Sequence, residues 1–423
     1  MEVLEHTNRW NSQRLGSLFR EQKKKNTHFA RRIALKFTYG SIVDKPEYDM
    51  TPSLIDTYSK YTLVDEGDIV INCLNLNYDF VSQRVAIVKN SGIITSAYIS
   101  LRARNADINP LYYCYYFKAM DARKMFHGMG TGIRLTLSYN ELRNVPIPVP
   151  PRAEQDQIVR FLDWKVSEIN KLIGIRKKEI QELEGLKKVI VHKAVTGKNC
   201  DTATRDTSIE WIGAIPAEWE IRHVKNVAII TNGSDPKTAG NIPVYGSGDD
   251  SFKTCGEYKE GPAVLIGRKG ATLHIPHYVE GKYWNVDTAF DVHMKDDNDL
   301  RWFYYLAQCF DYQFYISQTT LPSMTQTDYN NMPIPVPSVP VQHEIASYLD
   351  RENLKIDKAI DLTERKIDAL TEMKNTLISD VVTGKIDVRN VTIPEYEHID
   401  DIYDDDNENG GGTEEAETDG EEA

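Results

Sequence analysis

The chain contains one long internal repeat. Residues 144–198 return at residues 331–385 without a gap, at a constant offset of 187, and 20 of the 55 aligned positions are identical. Both copies open on the prolines of PIPVP and close on Thr-Gly-Lys. A unit of this length that occurs only twice is not a solenoid repeat, because solenoids stack several shorter copies. The repeat therefore predicts two halves, each a globular segment followed by a shared type of element.

The part of each copy that follows the prolines has the pattern of a long helix. Apolar residues recur at steps of three and four, as at Ile158, Leu162 and Val166, which is typical of a coiled-coil seam. Gly197 and Gly384 follow the last apolar positions and suit helix C-caps. About 40 residues at a rise of 1.5 Å give a helix of roughly 60 Å, and such a helix with one apolar stripe needs a partner. The other copy is the obvious partner, so we expect an antiparallel coiled coil.

Short apolar runs mark the two globular segments. Residues 68–73 and 84–89 are rich in β-branched residues and predict buried strands, whereas the aromatic-rich 109–120 predicts a helix. In the second half, 262–275 predicts a strand, a glycine turn and a strand, and 298–310 repeats the aromatic helix. The prolines before each long helix exclude a helix or a central strand there, because proline lacks the N–H donor.

These patterns predict an α+β protein, in which two mixed α/β domains are joined by two long helices in a pseudo two-fold arrangement. The predicted parts are a first domain 1–151, a first helix 152–198, a linker 199–210, a second domain 211–338, a second helix 339–386 and a disordered acidic tail 387–423.

The negative charge of the chain is concentrated in the tail. Residues 395–423 hold 14 Asp or Glu and no Lys or Arg, so without them the net charge of −13 becomes about +1. A segment of this composition buries too little apolar surface to fold, and disorder is expected. It is either a solubilising tail or a mimic of nucleic acid that competes for a basic groove. The overall acidity therefore does not argue against DNA binding.

Composition also predicts the compartment. The five cysteines are scattered without a CxxC pair, so we expect reduced thiols and a cytoplasmic protein. No apolar run approaches the roughly 18 residues of a membrane span, and the N-terminus MEVLEHTNRW lacks the pattern of a signal peptide.

Two heads on a rigid spacer fit more than one function. If the helices pack antiparallel, the heads are held roughly 40–60 Å apart, which exceeds one DNA turn of about 34–36 Å. This geometry fits a protein that reads two DNA half-sites with an unread gap between them. It fits an elongated adaptor with two protein-binding heads equally well.

Several motifs follow one another in a fixed order along the chain. They are the doubled PIPVP before a long helix, Gln155 and Gln342 in the first helical turns, Val-Thr-Gly-Lys at 195–198 and 382–385, IEWIGAIPAEWE at 209–220 and GRKG at 267–270. In this order they resemble the specificity subunit of type I restriction-modification systems. The resemblance covers nearly the whole chain apart from the acidic tail.

The resemblance implies a division of labour. Each globular part is a target recognition domain that reads one half of a bipartite sequence in double-stranded DNA. The paired helices set the spacing and hold two adenine methyltransferase subunits, and restriction subunits join that core. No cofactor is expected on this chain, whereas S-adenosylmethionine, ATP and Mg are expected on the partner subunits.

Two kinds of loop are candidates for DNA contact. In a GRKG turn, glycines let the backbone approach a phosphate and the cations add charge-assisted contacts, while arginine also reads guanine; the alternative is an ordinary hairpin turn. The loop before each proline run supplies hydroxyls and amides for phosphates, and a capping loop is the alternative. The candidates are Gly267, Arg268, Lys269 and Gly270 in the turn, and Gly132, Arg134, Thr136, Ser138, Thr320, Ser323 and Thr325 in the loops.

Two further sets of residues have a structural and a functional interpretation. The basic cluster of Lys23–Lys25 and Arg31–Arg32 is either a solvated face or a DNA contact. The residues around PIPVP are either a stiff linker or a seat for partner subunits. The candidate partner-binding residues are Pro148, Pro150, Gln155, Pro335, Pro337 and Gln342.

Enzymatic motifs are absent from the sequence. There is no GxxxxGK[ST] phosphate loop and no [ND]PP[YFW] motif of an adenine methyltransferase; the nearest string, 109–112, lacks the second proline and reads as a helix start. A stand-alone nuclease built from Asp250, Glu257 and Lys259 is the remaining enzymatic hypothesis. We therefore expect a non-catalytic recognition subunit.

Overall fold

The computed structural model describes residues 4, 9–38, 40–46, 51–76, 83–130, 135–199, 202–248, 250–317 and 321–400. The chain forms two compact units. The first unit contains the chain up to Lys177 and from Arg365 onward, and the second contains Lys178–Glu364. None of the helices in the described ranges is long and apolar enough to cross a membrane.

The first unit is built on a small antiparallel sheet that packs against one aromatic helix. Its elements are β1 (Asn11–Arg14), α1 (Leu15–Leu18), β2 (Phe19–Glu21), β3 (Leu35–Thr38), β4 (Ser41–Asp44), α2 (Pro52–Ser59), β5 (Thr62–Val64), β6 (Ile69–Ile71), β7 (Val85–Ile87), β8 (Gly92–Ile94), β9 (Ile99–Ala103), α3 (Pro110–Ala122), α4 (Tyr139–Leu142), β10 (Pro146–Val149) and the start of α5 (Arg152–Val195). The main sheet has the order β2-β9-β6-β7, with the two-stranded pairs β3-β4, β5-β8 and β1-β10 beside it.

The second unit repeats this plan with a larger sheet system. Its elements are β11 (Thr204–Asp206), β12 (Ala214–Pro216), β13 (Glu220–His223), α6 (Val224–Val227), β14 (Ala228–Asn232), β15 (Ile242–Tyr245), β16 (Ser251–Cys255), β17 (Lys259–Glu260), β18 (Ala263–Gly267), β19 (His277–Val279), β20 (Lys282–Asn285), β21 (Ala289–Met294), α7 (Leu300–Ala307), α8 (Tyr312–Tyr315), α9 (Gln326–Asn331), β22 (Pro333–Val336) and the start of α10 (Val339–Val382). Two four-stranded sheets have the orders β14-β21-β18-β19 and β16-β15-β20-β17.

The proline-rich strand of each unit has one partner strand. Asn11 of β1 lies opposite Val149 of β10, and Glu220 of β13 lies opposite Val336 of β22. A two-stranded pair tolerates proline because each strand has a free edge where no N–H is needed. The prediction that these segments are neither helices nor central strands is confirmed.

The two long helices run antiparallel. In the first unit the start of α5, with Ile158 and Leu162, shares a core with Val382 at the end of α10. In the second unit the end of α5, with Val195, shares a core with Leu349 near the start of α10.

Polar contacts between the two helices indicate the same antiparallel orientation. Lys374 Nζ lies 3.2 Å from Asn170 Oδ1, and Lys187 Nζ lies 2.7 Å from Asp357 Oδ1. A step forward along α5, from Asn170 to Lys187, thus corresponds to an equal step back along α10, from Lys374 to Asp357. The predicted antiparallel pairing is confirmed, while a two-fold relation between the units stays a prediction.

Most predicted elements lie where the sequence places them. The strands at 68–73 and 84–89 are the neighbours β6 and β7, and the two aromatic segments are α3 and α7. Gly197 and Gly384 end the long helices with φ of 72° and 75°. That left-handed conformation favours glycine.

Three predicted boundaries are corrected by tertiary contacts. The linker at 199–210 contains β11, which pairs with β12. The second strand after GRKG begins only at His277, so the turn is longer than predicted.

The third correction concerns the acidic tail, because its first part is packed. Val388 is buried, and Gln157 Nε2 donates to the carbonyls of Val388 and Val391 at 3.1 and 2.8 Å. Further along, Asn170 Nδ2 donates to Ile399 O at 3.1 Å. Residues 387–400 therefore lie along α5, and the remainder of the predicted tail, 401–423, lies outside the described residues.

Candidate nucleic-acid interface

The GRKG segment of the second unit is a tight turn that requires its glycines. A Cβ on Gly267 would lie 2.3 Å from Leu273 Cα, and Gly270 has φ of 117°. The Gly267 carbonyl accepts a hydrogen bond of 2.7 Å from Tyr329 Oη. Burial raises the pKa of Tyr329, so this phenol stays a neutral donor. The turn is thus anchored to the core at the residue where it leaves β18.

Two other segments hold the turn. Thr288 O accepts from the backbone N–H groups of Arg268, at 2.7 Å, and Lys269, at 3.3 Å. Pro322 O accepts from Gly270 N, and Arg268 O accepts from Met324 N, both at 3.0 Å. The structure therefore brings together two predicted loops, 267–270 and 321–325, which are far apart in the sequence.

The two cations of the turn have weak partners. Arg268 Nη1 donates to Asp287 O at 3.2 Å, and Lys269 Nζ lies 3.9 Å from Asp287 Oδ2 with both groups about half exposed. An ion pair of this length and exposure contributes little, on the order of 0–1 kcal/mol. Both cations are therefore available to exchange these contacts for a phosphate or a base edge.

Hydroxyl groups of the neighbouring loop have mixed roles. Ser323 Oγ lies 2.8 Å from Ser317 Oγ, and Ser323 is half-buried. Thr325 is the N-cap of α9 and shares a capping box with Asp328. The corresponding N-cap of α4 in the first unit is Ser138, which pairs with Glu141.

The capping role is the structural alternative for Ser138 and Thr325, and their contact with DNA stays a prediction. Thr136 is exposed. Gly132, Arg134 and Thr320 lie outside the described residues.

Two of the five residues of the basic cluster in the first unit, Lys23 and Arg31, form internal ion pairs. Arg31 Nη1 donates to Val64 O at 2.6 Å, and its guanidinium pairs with Asp65. The hydrogen bond from Arg31 leads the effects that lower the pKa of Asp65. Lys23 lies 2.9 Å from Glu21. These contacts favour a structural role for Lys23 and Arg31. Lys24, Lys25 and Arg32 are exposed, and contact of the cluster with DNA stays a prediction.

The six candidate partner-binding residues have little free surface. Gln155 and Gln342 are fully buried, and Pro148, Pro150, Pro335 and Pro337 are buried as well. The side chains of the two glutamines, which lie in the first turns of the long helices, are hydrogen-bonded to backbone groups of their own units. Their role in this structure is to join the proline strand to the start of the aromatic helix. Contact of these residues with a partner stays a prediction that no exposed surface supports. Apolar side chains elsewhere on the long helices are exposed: Leu172, Ile175, Leu186, Val189, Leu354, Leu362 and Met373.

Two residues of the nuclease hypothesis, Glu257 and Lys259, bind different parts of the second unit, and the third, Asp250, is exposed. The Glu257 carboxylate accepts from Lys237 N and Thr238 N at 2.8 and 3.1 Å, while the hydroxyl of Thr238 leads the effects that lower its pKa. Lys259 Nζ instead binds Asn285 Oδ1 at 2.7 Å and Asp291 Oδ2 at 3.0 Å. Among the described residues no group of three His, Cys, Asp or Glu is placed to hold a metal ion.

Sequence reasoning missed the loop that carries Thr288. Asn285 Nδ2 donates to Ala289 O at 2.9 Å, which closes this loop, and Lys259 holds Asn285 from the other side. The loop has no glycine and no basic residue, and its one acidic residue, Asp287, does not mark it as a DNA-binding segment. Only the pairing of β18 with β21, in which Gly267 lies opposite Ala289, places it under the basic turn.

Comparisons with known proteins agree with this architecture. The family model described as type I restriction modification DNA specificity domain matches residues 8–184 and 216–372, well over half of the chain. The chain is 23% identical over 368 residues to the type I restriction enzyme MjaVIII specificity subunit of Methanocaldococcus jannaschii, covering 79% of this chain and 84% of that protein. It is also 23% identical over 314 residues to the putative MjaX specificity subunit of the same organism, covering 68% and 71%.

One solved structure has the same fold. It comes from a study of complex assembly and conformational transition of the type I R-M system, and it superposes with a TM-score of 0.66 at 14% identity. The match covers 91% of this chain and 100% of that one. At this identity the likeness concerns the fold alone.

Proposed function

This chain belongs to the type I restriction modification DNA specificity family, and from that membership we propose that each unit reads one half of a bipartite DNA sequence. As a specificity subunit, it supplies DNA recognition to a type I restriction-modification system. In this proposal α5 and α10 set the number of unread base pairs between the two halves. The duplication of the whole module, with globular parts that differ far more than the helices, supports two different half-sites.

One observation supports the assignment of DNA contact to particular residues. In the second unit the turn 267–270 and the loop 321–325 are joined by hydrogen bonds on both sides, with Arg268 and Lys269 only weakly paired. Cations and backbone amides on a rigid turn suit phosphate contacts, which fix the register, and arginine suits a guanine edge. The site is therefore a surface for duplex DNA.

The proposed partners follow from the same family. Two methyltransferase subunits would dock on the exposed apolar positions of the long helices, such as Leu354 and Leu362, because large apolar side chains at a helix surface gain from being covered. Restriction subunits complete the complex. In this proposal the partner subunits bind S-adenosylmethionine, ATP and Mg. This chain itself is non-catalytic. Cysteines 73, 114, 255 and 309 are free thiols, which fits work in the reducing cytoplasm.

The deciding experiment is a comparison of methylomes. Deletion of this chain from its host should remove one bipartite adenine-methylation motif, and return of the wild-type chain should restore it. If every motif remains in the deletion strain, the proposal is wrong. A binding assay of the complete complex on that motif gives an independent check, because phosphate contacts predict a steep loss of affinity with salt.

Two rival functions have separate tests. Plasmid cleavage by the purified chain with magnesium, lost in Glu257→Ala, would establish the nuclease; we expect no cleavage. An adaptor with protein-binding heads would shift no DNA even beside a methyltransferase partner.

A further inference from the structure

Two exposed apolar side chains adjoin the basic turn of the second unit. Phe252 is 59% exposed and Leu321 is 54% exposed. Single exposed apolar residues are common and need no explanation by themselves. The position of these two residues next to a basic turn is what distinguishes them.

Phe252 lies beside the loop that supports the turn. Its Cε1 atom is 3.5 Å from the position that a Cβ on Gly246 would take, and Thr288 Oγ1 is 3.0 Å from the same position. Thr288 is the residue whose carbonyl holds the amides of Arg268 and Lys269. The Phe252 ring and the Thr288 hydroxyl thus both lie next to Gly246, and Thr288 connects this place to the basic turn.

Leu321 approaches the turn from a different segment. It precedes Pro322, whose carbonyl accepts the N–H of Gly270. A second loop, Ser247–Gly248, also meets the turn: a Cβ on Gly270 would lie 2.8 Å from Ser247 Oγ. Phe252 and Leu321 thus belong to segments that lie next to the basic turn or next to Thr288, which supports it. We refer to these segments, with Arg268 and Lys269, as one surface.

The surface has a third cation close to the ring. Lys253 Nζ lies 5.2 Å from the centroid of the Phe252 ring, and both side chains are exposed. A ring beside an ammonium group offers an apolar face for a base and a positive charge for the adjoining phosphate. This combination is more specific to nucleic acid than an exposed ring alone.

We propose that Phe252 inserts against the bases of the half-site read by the second unit and unstacks one base step. Lys253, Arg268 and Lys269 hold the phosphates on either side of that step. Insertion of an apolar side chain partly unstacks and kinks the duplex. Its cost depends on the step, being lowest at flexible pyrimidine–purine steps, so Phe252 adds specificity without a hydrogen bond to a base. The inference rests on the proposed function.

The test uses the full chain with its methyltransferase subunits and a duplex carrying the motif found by the methylome comparison. 2-Aminopurine is placed in turn at each position of the second half-site, and its fluorescence reports unstacking. The target adenine that a methyltransferase flips out of the helix gives an internal signal, which should be present in every variant. Wild type should show one further position of raised fluorescence.

The variants separate insertion from a general loss of binding. Phe252→Ala should abolish the further signal and weaken binding by roughly 5- to 150-fold, the range for loss of one stacking contact, whereas Phe252→Trp should keep both. Tyr258→Ala is the matched control. Tyr258 is also an exposed ring beside a cation, with Lys282 Nζ 4.1 Å from its centroid. It precedes β17, which is the opposite edge of the sheet from the β16 strand that carries Phe252.

The outcomes are distinguishable from failure of the proposed function. If wild type binds and methylates the motif but shows no second signal, or if Phe252→Ala keeps it, the insertion is wrong and the proposed function stands. If wild type binds no motif at all, the proposed function itself fails and the insertion with it. Circular dichroism of Phe252→Ala checks that the exposed substitution leaves the fold intact.

Discussion

Gln155 and Gln342, which occupy the same position in the two copies of the repeat, make the same buried hydrogen bonds in their two units. Gln155 Oε1 accepts from Asn109 N at 2.8 Å, and Gln342 Oε1 accepts from Asp299 N at 2.8 Å. Their Nε2 atoms donate to Pro150 O and Pro337 O at 2.8 and 3.0 Å. Asn109 and Asp299 are the N-caps of α3 and α7. Each glutamine therefore ties the end of a proline strand to the start of an aromatic helix.

Loss of either glutamine should destabilise its own unit. Gln155→Ala leaves the Asn109 N–H and the Pro150 carbonyl without partners in the interior, at a cost of about 1–3 kcal/mol for each group. Hydrogen exchange measured by mass spectrometry should show faster exchange at the start of α3, and Gln342→Ala should do the same at α7. Gln181→Ala, at an exposed position of α5, is the control. Unchanged exchange in both glutamine variants would contradict the role.

Two glycines of the first repeat should respond in opposite directions to alanine. Gly185 lies inside α5 with open space around it, so Gly185→Ala should raise stability by roughly 0.5–1 kcal/mol through helix propensity. Gly197 has φ of 72°, and a Cβ there would lie 2.4 Å from Pro216 Cδ. Gly197→Ala should lower stability by more than about 1 kcal/mol. Denaturant midpoints measure both, and equal shifts of the same sign would disprove the helix-end geometry.

The cations of the basic turn should contribute to the salt dependence of DNA binding. Arg268→Gln and Lys269→Gln should each reduce the slope of log affinity against log salt by about 0.9, the value for one phosphate contact on duplex DNA. If Arg268 instead reads guanine, its variant should relax specificity at one position. Lys282→Gln, an exposed cation beside Tyr258, should leave the slope unchanged. A slope unaltered by both turn variants would remove this surface from the interface.

A partly buried carboxylate should make the first unit pH-sensitive. Burial raises the pKa of Asp163, whose Oδ1 accepts from Tyr115 Oη at 2.8 Å. In the unfolded chain the pKa of an aspartate is near 3.9, so the folded state binds this proton more tightly. Protonated Asp163 therefore contributes to the free energy of unfolding below about pH 4, and this contribution is lost as pH rises through the folded-state pKa. Asp163→Asn should therefore gain stability relative to wild type as pH rises above about 4.

The equivalent residue of the second unit provides the contrast. Asp350 Oδ1 accepts from Tyr305 Oη at 2.6 Å and from Arg301 Nε at 2.8 Å. Asp350→Asn removes this ion pair and should lower the unfolding midpoint at neutral pH instead of raising it. Thermal unfolding of both variants over the same pH series checks the pair. If the unfolding midpoint of Asp163→Asn also falls below that of wild type as pH rises, the pKa of Asp163 is not raised in the folded state.

Local periodicity was enough to predict the frame of this protein. The spacing of Ile158, Leu162 and Val166 is set by the pitch of a helix, and the glycine at 197 marks a left-handed cap, so both features are legible in a short window of residues. The repeat itself identified the second copy. Asn109-Pro110 likewise predicts a helix start, and Asn109 is the N-cap of α3.

Local patterns could not predict which loops meet. Arg268, Thr288 and Pro322 come from three segments. They converge because β18 pairs with β21 and because backbone hydrogen bonds join Arg268 and Gly270 to the segment from Pro322 to Met324. Strand pairing at long range depends on the whole fold and leaves no mark on the residues between the strands. Burial was equally hidden: a glutamine beside prolines reads as a surface residue until its hydrogen-bond partners are known.

The amino-acid order alone determined two similar modules, two long helices and their caps, because these depend on contacts between near neighbours along the chain. Only the tertiary structure decided that Gln155 and Gln342 are buried and hydrogen-bonded to distant backbone groups. It also decided that Glu257 and Lys259 bind different loops and that residues 387–400 lie along α5. These outcomes depend on which backbone N–H and C=O groups, distant in the sequence, lose their hydrogen bonds to water on burial. Such groups must then be paired within the protein, and which groups are buried is settled only when the core forms.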